Sequence, residues 1–244
     1  MNLVTQERWL NAQAAESKYW DGLSIKEILR ICAEKPGFLD LLNNRILSSL
    51  LEEKEILEIG VGPLGVSLAS FYSNKHNIER LVKVEPLERR LITESSIMNE
   101  TWAKKFLEWV HSLSEEGEYI QLTGEQMNYD REFDTVIIYN VLDHVKDPLS
   151  ILKNAYNALR KEGEILVGVD CRSVLGRIKF EHILRKTRKG QILVEAHPHT
   201  FLPSHVVGML NEAGFEDVKT IGVPGLANRL IGTSYRPAFI GKKV

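Results

Sequence analysis

The run Glu58-Ile59-Gly60-Val61-Gly62-Pro63-Leu64-Gly65 constrains the fold of this chain more than any other stretch. It starts inside an apolar strand that includes Ile56, Leu57 and Ile59, and it passes through three glycines into an apolar segment, 66–72, that reads as a helix. Glycines at such a turn allow a sharp reversal and let the backbone come close to a bound group. The first N–H groups of the helix would point at that group unpaired. A chain that opens in this way is set up to alternate strands with helices.

The rest of the chain keeps that rhythm. Before the glycines, residues 6–53 carry apolar side chains at helical spacing, first Ile25, Ile28, Leu29 and Cys32, then Leu39, Leu42, Ile46 and Leu50. After them come a strand at 81–85, a mostly helical stretch at 93–113, a short strand at 119–122 and a strongly β-prone strand at 134–139. A helix over 148–159, a stop at Gly163 and a strand at 164–169 follow. Residues 171–199 form a basic stretch without clear periodicity, read as an insertion. Beyond it lie a helix over 203–213 that stops at Gly214 and two strands, 215–221 and 237–244, that can close the sheet as a hairpin. The order predicts a doubly wound α/β fold with a mostly parallel, seven-stranded, Rossmann-like sheet, an antiparallel C-terminal edge strand and N-terminal helices. No flexible linker interrupts it, so one domain is expected. Its parts are a helical segment at 1–53, a core at 54–170, an insertion at 171–200 available to wall a pocket, and closing elements at 201–244.

Glu85 ends the second strand, 20 residues beyond Gly65. An acidic side chain there can accept hydrogen bonds from both hydroxyls of a ribose. The glycines also satisfy G-x-G-x-x-G, a pattern open to a nicotinamide dinucleotide or to another nucleoside cofactor. Further residues narrow the choice. Glu58 precedes the first glycine by two positions. Val84-Glu85-Pro86-Leu87 follows as a compact segment, and Phe133-Asp134-Thr135-Val136 leads into Asn140-Val141-Leu142-Asp143-His144-Val145 and Asp147-Pro148. Leu159-Arg160-Lys161-Glu162-Gly163-Glu164 comes last. In this order, over residues 55–170, the chain resembles the class I S-adenosylmethionine-dependent methyltransferases, particularly their small-molecule branch. The resemblance implies S-adenosylmethionine as cofactor. It makes Glu58 and Gly65 part of the cofactor site and places Gly60, Val61 and Gly62 around the methionine part, Glu85 on the ribose, Pro86 or Leu87 against adenine, and Asn140 and Val141 toward the methionine end. Gly124-Glu125 resembles the adenine-contacting turn, with Thr123 where the family usually carries an acid.

Methyl transfer is an in-line displacement at an electrophilic carbon, so orientation and a desolvated acceptor can suffice without a covalent enzyme intermediate. A hydroxyl acceptor must also lose a proton. His144 is the candidate catalytic base because histidine titrates near neutral pH; a cap or a packing role beside the cofactor is the competing reading. His197, His199 and His205 form a second group that can line an acceptor pocket. Their spacing is not that of a metal site, and none is expected. Arg172, Arg177, Lys179, Arg185, Lys186, Arg188 and Lys189 either attract an acidic substrate or form a solvated face. Tyr19-Trp20 can close over a cofactor or simply pack.

Composition limits the partners. With 31 Lys and Arg against 33 Asp and Glu, the formal charge of −2 offers no global attraction to nucleic acid or anionic membranes. A small-molecule acceptor is therefore expected, with no nucleic-acid or membrane partner, and the oligomeric state is left open. The N-terminus is too polar for a signal peptide, and Cys32 and Cys171 form no disulfide framework, so a cytoplasmic location is expected. Two other functions stay open: an NAD-dependent oxidoreductase and a non-catalytic S-adenosylmethionine-binding protein.

Overall fold

The computed structural model describes residues 4–73, 77–90, 101–180, 186, 194, 196–225 and 234–244. The N-terminal segment forms three helices, α1 (Gln6–Asp21), α2 (Ile25–Leu39) and α3 (Asn44–Leu51). Each starts where a side chain can satisfy a free N–H. Thr5 accepts from Arg8, Asn43 accepts from Ile46, and Ser24 and Glu27 form a reciprocal capping box.

Seven strands make the main sheet: β1 (Glu55–Ile59), β2 (Arg80–Glu85), β3 (Glu118–Gln121), β4 (Phe133–Tyr139), β5 (Leu159–Gly168), β7 (Glu216–Ile221) and β9 (Ala238–Lys242). A small ribbon pairs β6 (Cys171–Arg172) with β8 (Ser234–Tyr235). The strand order is β3-β2-β1-β4-β5-β9-β7. Pairs from β3 to β5 are parallel. The C-terminal strand β9 is antiparallel to β5 and to β7, and β7 lies outermost.

The sheet is doubly wound because its strands are apolar on both faces. Leu57, Val136, Ile138, Ile165 and Val167 meet α5 (Pro148–Ala158) and α7 (Pro203–Ala213) through Ile151, Leu152, Val206 and Leu210. Their neighbours Ile56, Ile137 and Leu166 turn the other way, onto Leu39 of α2 and Leu47, Leu50 and Leu51 of α3. A third cluster joins Ile28 and Cys32 of α2 to Leu64, Val66 and two residues of α4 (Thr101–Glu115), Val110 and Leu113. Both cysteines are buried free thiols. Among the described residues, no helix is long and apolar enough to cross a membrane.

The expected helix at 66–72 is corrected by the structure. Only one 3-10 turn forms, Ala69–Phe71. The buried Glu58 carboxylate takes the N–H groups of Leu68 and Ala69, and the Ser67 hydroxyl takes that of Ser70. Of the expected helix at 93–113, residues 93–100 lie outside the described residues and α4 accounts for the rest. The basic stretch after β5 contains β6 and a short helix, α6 (Val174–Ile178).

Candidate active site

The carboxyl ends of β1, β2, β4 and β5 share one edge of the sheet. The chain departs to opposite sides between β1 and β4, which leaves a crevice there. A cavity of about 770 Å³ occupies it, roofed by α1 and α2. Eleven of the thirteen site residues expected from the sequence line it: Gly60, Val61, Gly62, Glu85, Pro86, Leu87, Gly124, Glu125, Asn140, Val141 and His144.

Its floor is the glycine turn. Gly60 and Gly62 hold left-handed φ angles of 75° and 80°. A Cβ on Gly60 would lie 2.1 Å from Cγ2 of Val141, and one on Gly62 would lie 3.1 Å from the Trp20 ring. Gly60 has no room for a side chain, and at Gly62 the Trp20 ring would have to give by a few tenths of an ångström. Glu85 stands beside the turn, where its carboxylate accepts from Gly62 N–H at 2.9 Å and from Leu87 N–H at 3.2 Å. Burial pushes its pKa up to about 7, against the pull of those two N–H groups. Asn140 takes a left-handed φ of 58°, a conformation asparagine tolerates, and its N–H is bonded to Gly168. Glu125 turns its carboxylate to the N–H groups of Lys146 and Asp147. It therefore ties the β3 loop to the segment after β4.

Two expected residues do not reach the cavity. Glu58 is spent on Leu68 and Ala69, and burial raises its pKa. Gly65 turns away, its carbonyl accepting from the buried ammonium of Lys83, which burial draws down to about 8. Both shape the turn from behind.

The roof supplies residues that sequence reasoning passed over. Lys35 is buried in α2, and its Nζ donates to the carbonyls of Val61 and Val66, so the helix holds both ends of the glycine turn. Burial lowers its pKa. Its signal was there to read: Lys35 falls on the same helical face as Ile28 and Cys32, where a cation needs a reason. Tyr19 and Trp20 line the cavity, and Trp20 Nε1 donates to Glu16 at 2.9 Å. Arg90 binds Ser17 and Asp21, tethering α1 over the β2 loop.

The rest of the lining is mixed and includes Trp9, Gln13, Glu34, Tyr139, Asp170, His197 and Arg236. Arg236 donates to Asp170 at 2.8 Å and to the Tyr139 hydroxyl at 2.6 Å. His144 lies here, its Nδ1 2.9 Å from the Ala196 carbonyl and 3.5 Å from a Glu16 oxygen. Burial depresses its pKa, but Asp143, Glu16 and the Ala196 carbonyl outweigh that, and the balance is upward. Its ring packs against His197 with centroids 4.4 Å apart. Oδ2 of the buried Asp143 is 3.8 Å from Nε2 of each histidine.

Not every expected histidine is here. His199 turns its Nε2 to the Val145 carbonyl, and His205 accepts the Leu202 N–H at the start of α7. Arg172 lies over the Phe180 ring at 3.6 Å, while Arg185, Arg188 and Lys189 fall outside the described residues.

Residues 33–220 match the family described as "Methyltransferase domain". An O-methyltransferase of ubiquinone biosynthesis from Idiomarina loihiensis is 33% identical over 95 residues, 37% of this chain and 38% of that protein. An uncharacterized protein of Methanocaldococcus jannaschii is 32% identical over 99 residues, 39% of this chain and 45% of its own length. The matched stretch thus spans less than half of either relative. Among solved structures, a Bacillus halodurans protein described as a putative methyltransferase superposes with a TM-score of 0.54 at 19% identity, covering 84% of this chain and 98% of that one. Phosphoethanolamine N-methyltransferase 2 of Haemonchus contortus, solved with S-adenosyl-L-methionine, gives 0.56 at 14% identity, covering 86% of this chain and 52% of that one. At such identities the likeness is one of fold.

Proposed function

This chain belongs to the methyltransferase-domain family, in its class I, Rossmann-like form, and from that membership we propose that it transfers a methyl group from S-adenosylmethionine to a small-molecule acceptor. The observation that carries this reading is the single cavity with two unlike ends. One end has a side-chain-free glycine floor and a buried carboxylate at a strand terminus; the other is a mixed wall of aromatic and charged groups. The residues fit the cofactor. Gly60 and Gly62 leave backbone room for it, Glu85 offers acceptor oxygens to a ribose, and Pro86, Leu87 and Gly124 offer apolar surface to a purine. When bound, it supplies an electrophilic methyl group.

The protein's own work is positioning and exclusion. Lys35 holds the glycine turn, Trp20 covers it, and α1 closes the cavity, so that an acceptor is desolvated and held in line. The segment around Ala196 and His197 completes the acceptor wall. A hydroxyl acceptor must give up a proton, and His144 is the residue through which that proton leaves. With Nδ1–H donated to the Ala196 carbonyl, Nε2 carries the ring's lone pair.

Two measurements test the reading. Calorimetry should give binding of S-adenosylmethionine and none of NAD. Labelled methyl from the cofactor should pass into a component of a metabolite extract. Binding without transfer would leave a non-catalytic S-adenosylmethionine-binding protein, and binding of NAD instead would remove the proposal.

A further inference from the structure

Three side chains at the acceptor end converge more closely than any role so far requires. Oδ2 of Asp143 lies 3.8 Å from Nε2 of His144 and 3.8 Å from Nε2 of His197, and the ligand atoms of the three residues all fall within 4.8 Å of one another. We propose that Asp143, His144 and His197 form a divalent metal site that opens into the cavity, with a fourth position left for the acceptor's heteroatom.

Asp143 is 2% exposed, and its Oδ1 is buried with no hydrogen-bond partner. Leaving a buried carboxylate oxygen without a donor is unfavourable. Among the described residues no Lys or Arg is ion-paired with it. Arg172 is near enough to act on it electrostatically, but its guanidinium lies over Phe180. A cation between the three ligands would supply the missing charge.

His144 is oriented as a ligand. Its Nδ1–H is committed to a main-chain carbonyl, which settles the tautomer and aims the Nε2 lone pair at the other two groups. Ligand atoms around a tetrahedral ion sit roughly 3.3 Å apart when its bonds are about 2.0 Å long. The two 3.8 Å separations therefore need to contract by about 0.5 Å, and the two imidazoles, within 4.8 Å of each other, close in by up to about 1.5 Å.

Two imidazoles and one carboxylate suit a borderline ion such as Zn2+, and three protein ligands with an open fourth position are the arrangement of catalytic zinc. His144 and His197 line the cavity while Asp143 does not, so the open side of the site faces the acceptor. A hydroxyl coordinated there is acidified. Its O–H bond breaks, the proton passes to water, and the electron pair stays on the metal-bound oxygen. With Nε2 on the ion, His144 no longer takes the proton itself, as it would without a metal, and assists proton loss as a ligand. That chemical role rests on the methyltransferase reading, whereas binding of the ion does not.

The test uses the full chain, stripped with a chelator and titrated with Co2+ and with Zn2+ in the absence of cofactor. One ion per chain should bind, and Co2+ should show the visible absorption of a four- or five-coordinate N/O site. Loss of a group that only hydrogen-bonds to a ligand already weakens metal sites by about 10–100-fold, so His197→Gln and Asp143→Asn should each weaken binding by roughly 100-fold or more. His205→Gln, outside the cluster, should leave it unchanged. Circular dichroism and thermal melting check that each variant folds. Absence of Co2+ binding by the folded wild type would overturn the site, as would equal affinity in His197→Gln. Ion binding that survives complete failure of methyl transfer would uphold the site and sink the functional reading alone.

Discussion

Glu85→Gln should make the ligand-free protein relatively more stable as pH rises, while damaging the site it belongs to. The carboxyl is 5% exposed, and burial lifts its pKa from an ordinary 4.5 to about 7. The unfolded chain therefore releases this proton earlier than the folded one. Between the two pKa values the native state holds more protons than the unfolded state, so wild-type stability falls as pH rises through that window and the loss is complete above pH 7. At 1.36 kcal/mol per pH unit, the full effect is about 3 kcal/mol, most of it between pH 5 and pH 8. Glutamine does not titrate. It exchanges one acceptor oxygen for an NH2 that faces an N–H donor, a cost that is the same at every pH and cancels when the pH dependence is compared. Urea unfolding followed by tryptophan fluorescence at pH 5 and pH 8 should show the variant gaining about 2–3 kcal/mol on the wild type between the two. An equal difference at both pH values would refute the raised pKa of the buried Glu85 carboxyl. Calorimetry on Glu85→Ala should show cofactor affinity weakened by about 1.5–3 kcal/mol, because charge-assisted hydrogen bonds to the ribose are lost. Unchanged affinity in a folded variant would remove Glu85 from the site.

Three further substitutions probe the turn, its brace and the acceptor end. Gly62→Val should abolish cofactor binding while leaving most of the fold, because a branched side chain at φ 80° meets the Trp20 ring; wild-type affinity by calorimetry would refute the placement of the loop. Lys35→Met deprives the Val61 and Val66 carbonyls of their donor and should lower stability by about 1–3 kcal/mol, read from a urea midpoint. His144→Gln should cut turnover by roughly 10²-fold or more with little change in cofactor affinity; weaker binding with turnover restored at saturating cofactor would make it a packing residue instead.

Alternation along the chain was enough to write down the sheet, because parallel strands buried on both faces leave apolar runs such as Ile56-Leu57 and Val136-Ile137-Ile138 that no helix face would carry. The glycine turn and Glu85 were equally legible, since a close backbone approach and a strand-end acid depend on local residue type and spacing. Other features depended on what the chain folds against. At 66–72 only one 3-10 turn forms, with the Leu68 and Ala69 N–H groups held by the carboxylate of Glu58, ten residues back. Lys35 became a brace because α2 crosses over a turn that begins 26 residues after it. Asp143 and His144 are neighbours in sequence, but His197 joins them from more than fifty residues further on, where the Ala196 carbonyl also reaches His144. Such encounters are set by packing over long separations, so their chemistry emerges only when the sheet, the roof and the stretch after β5 come together.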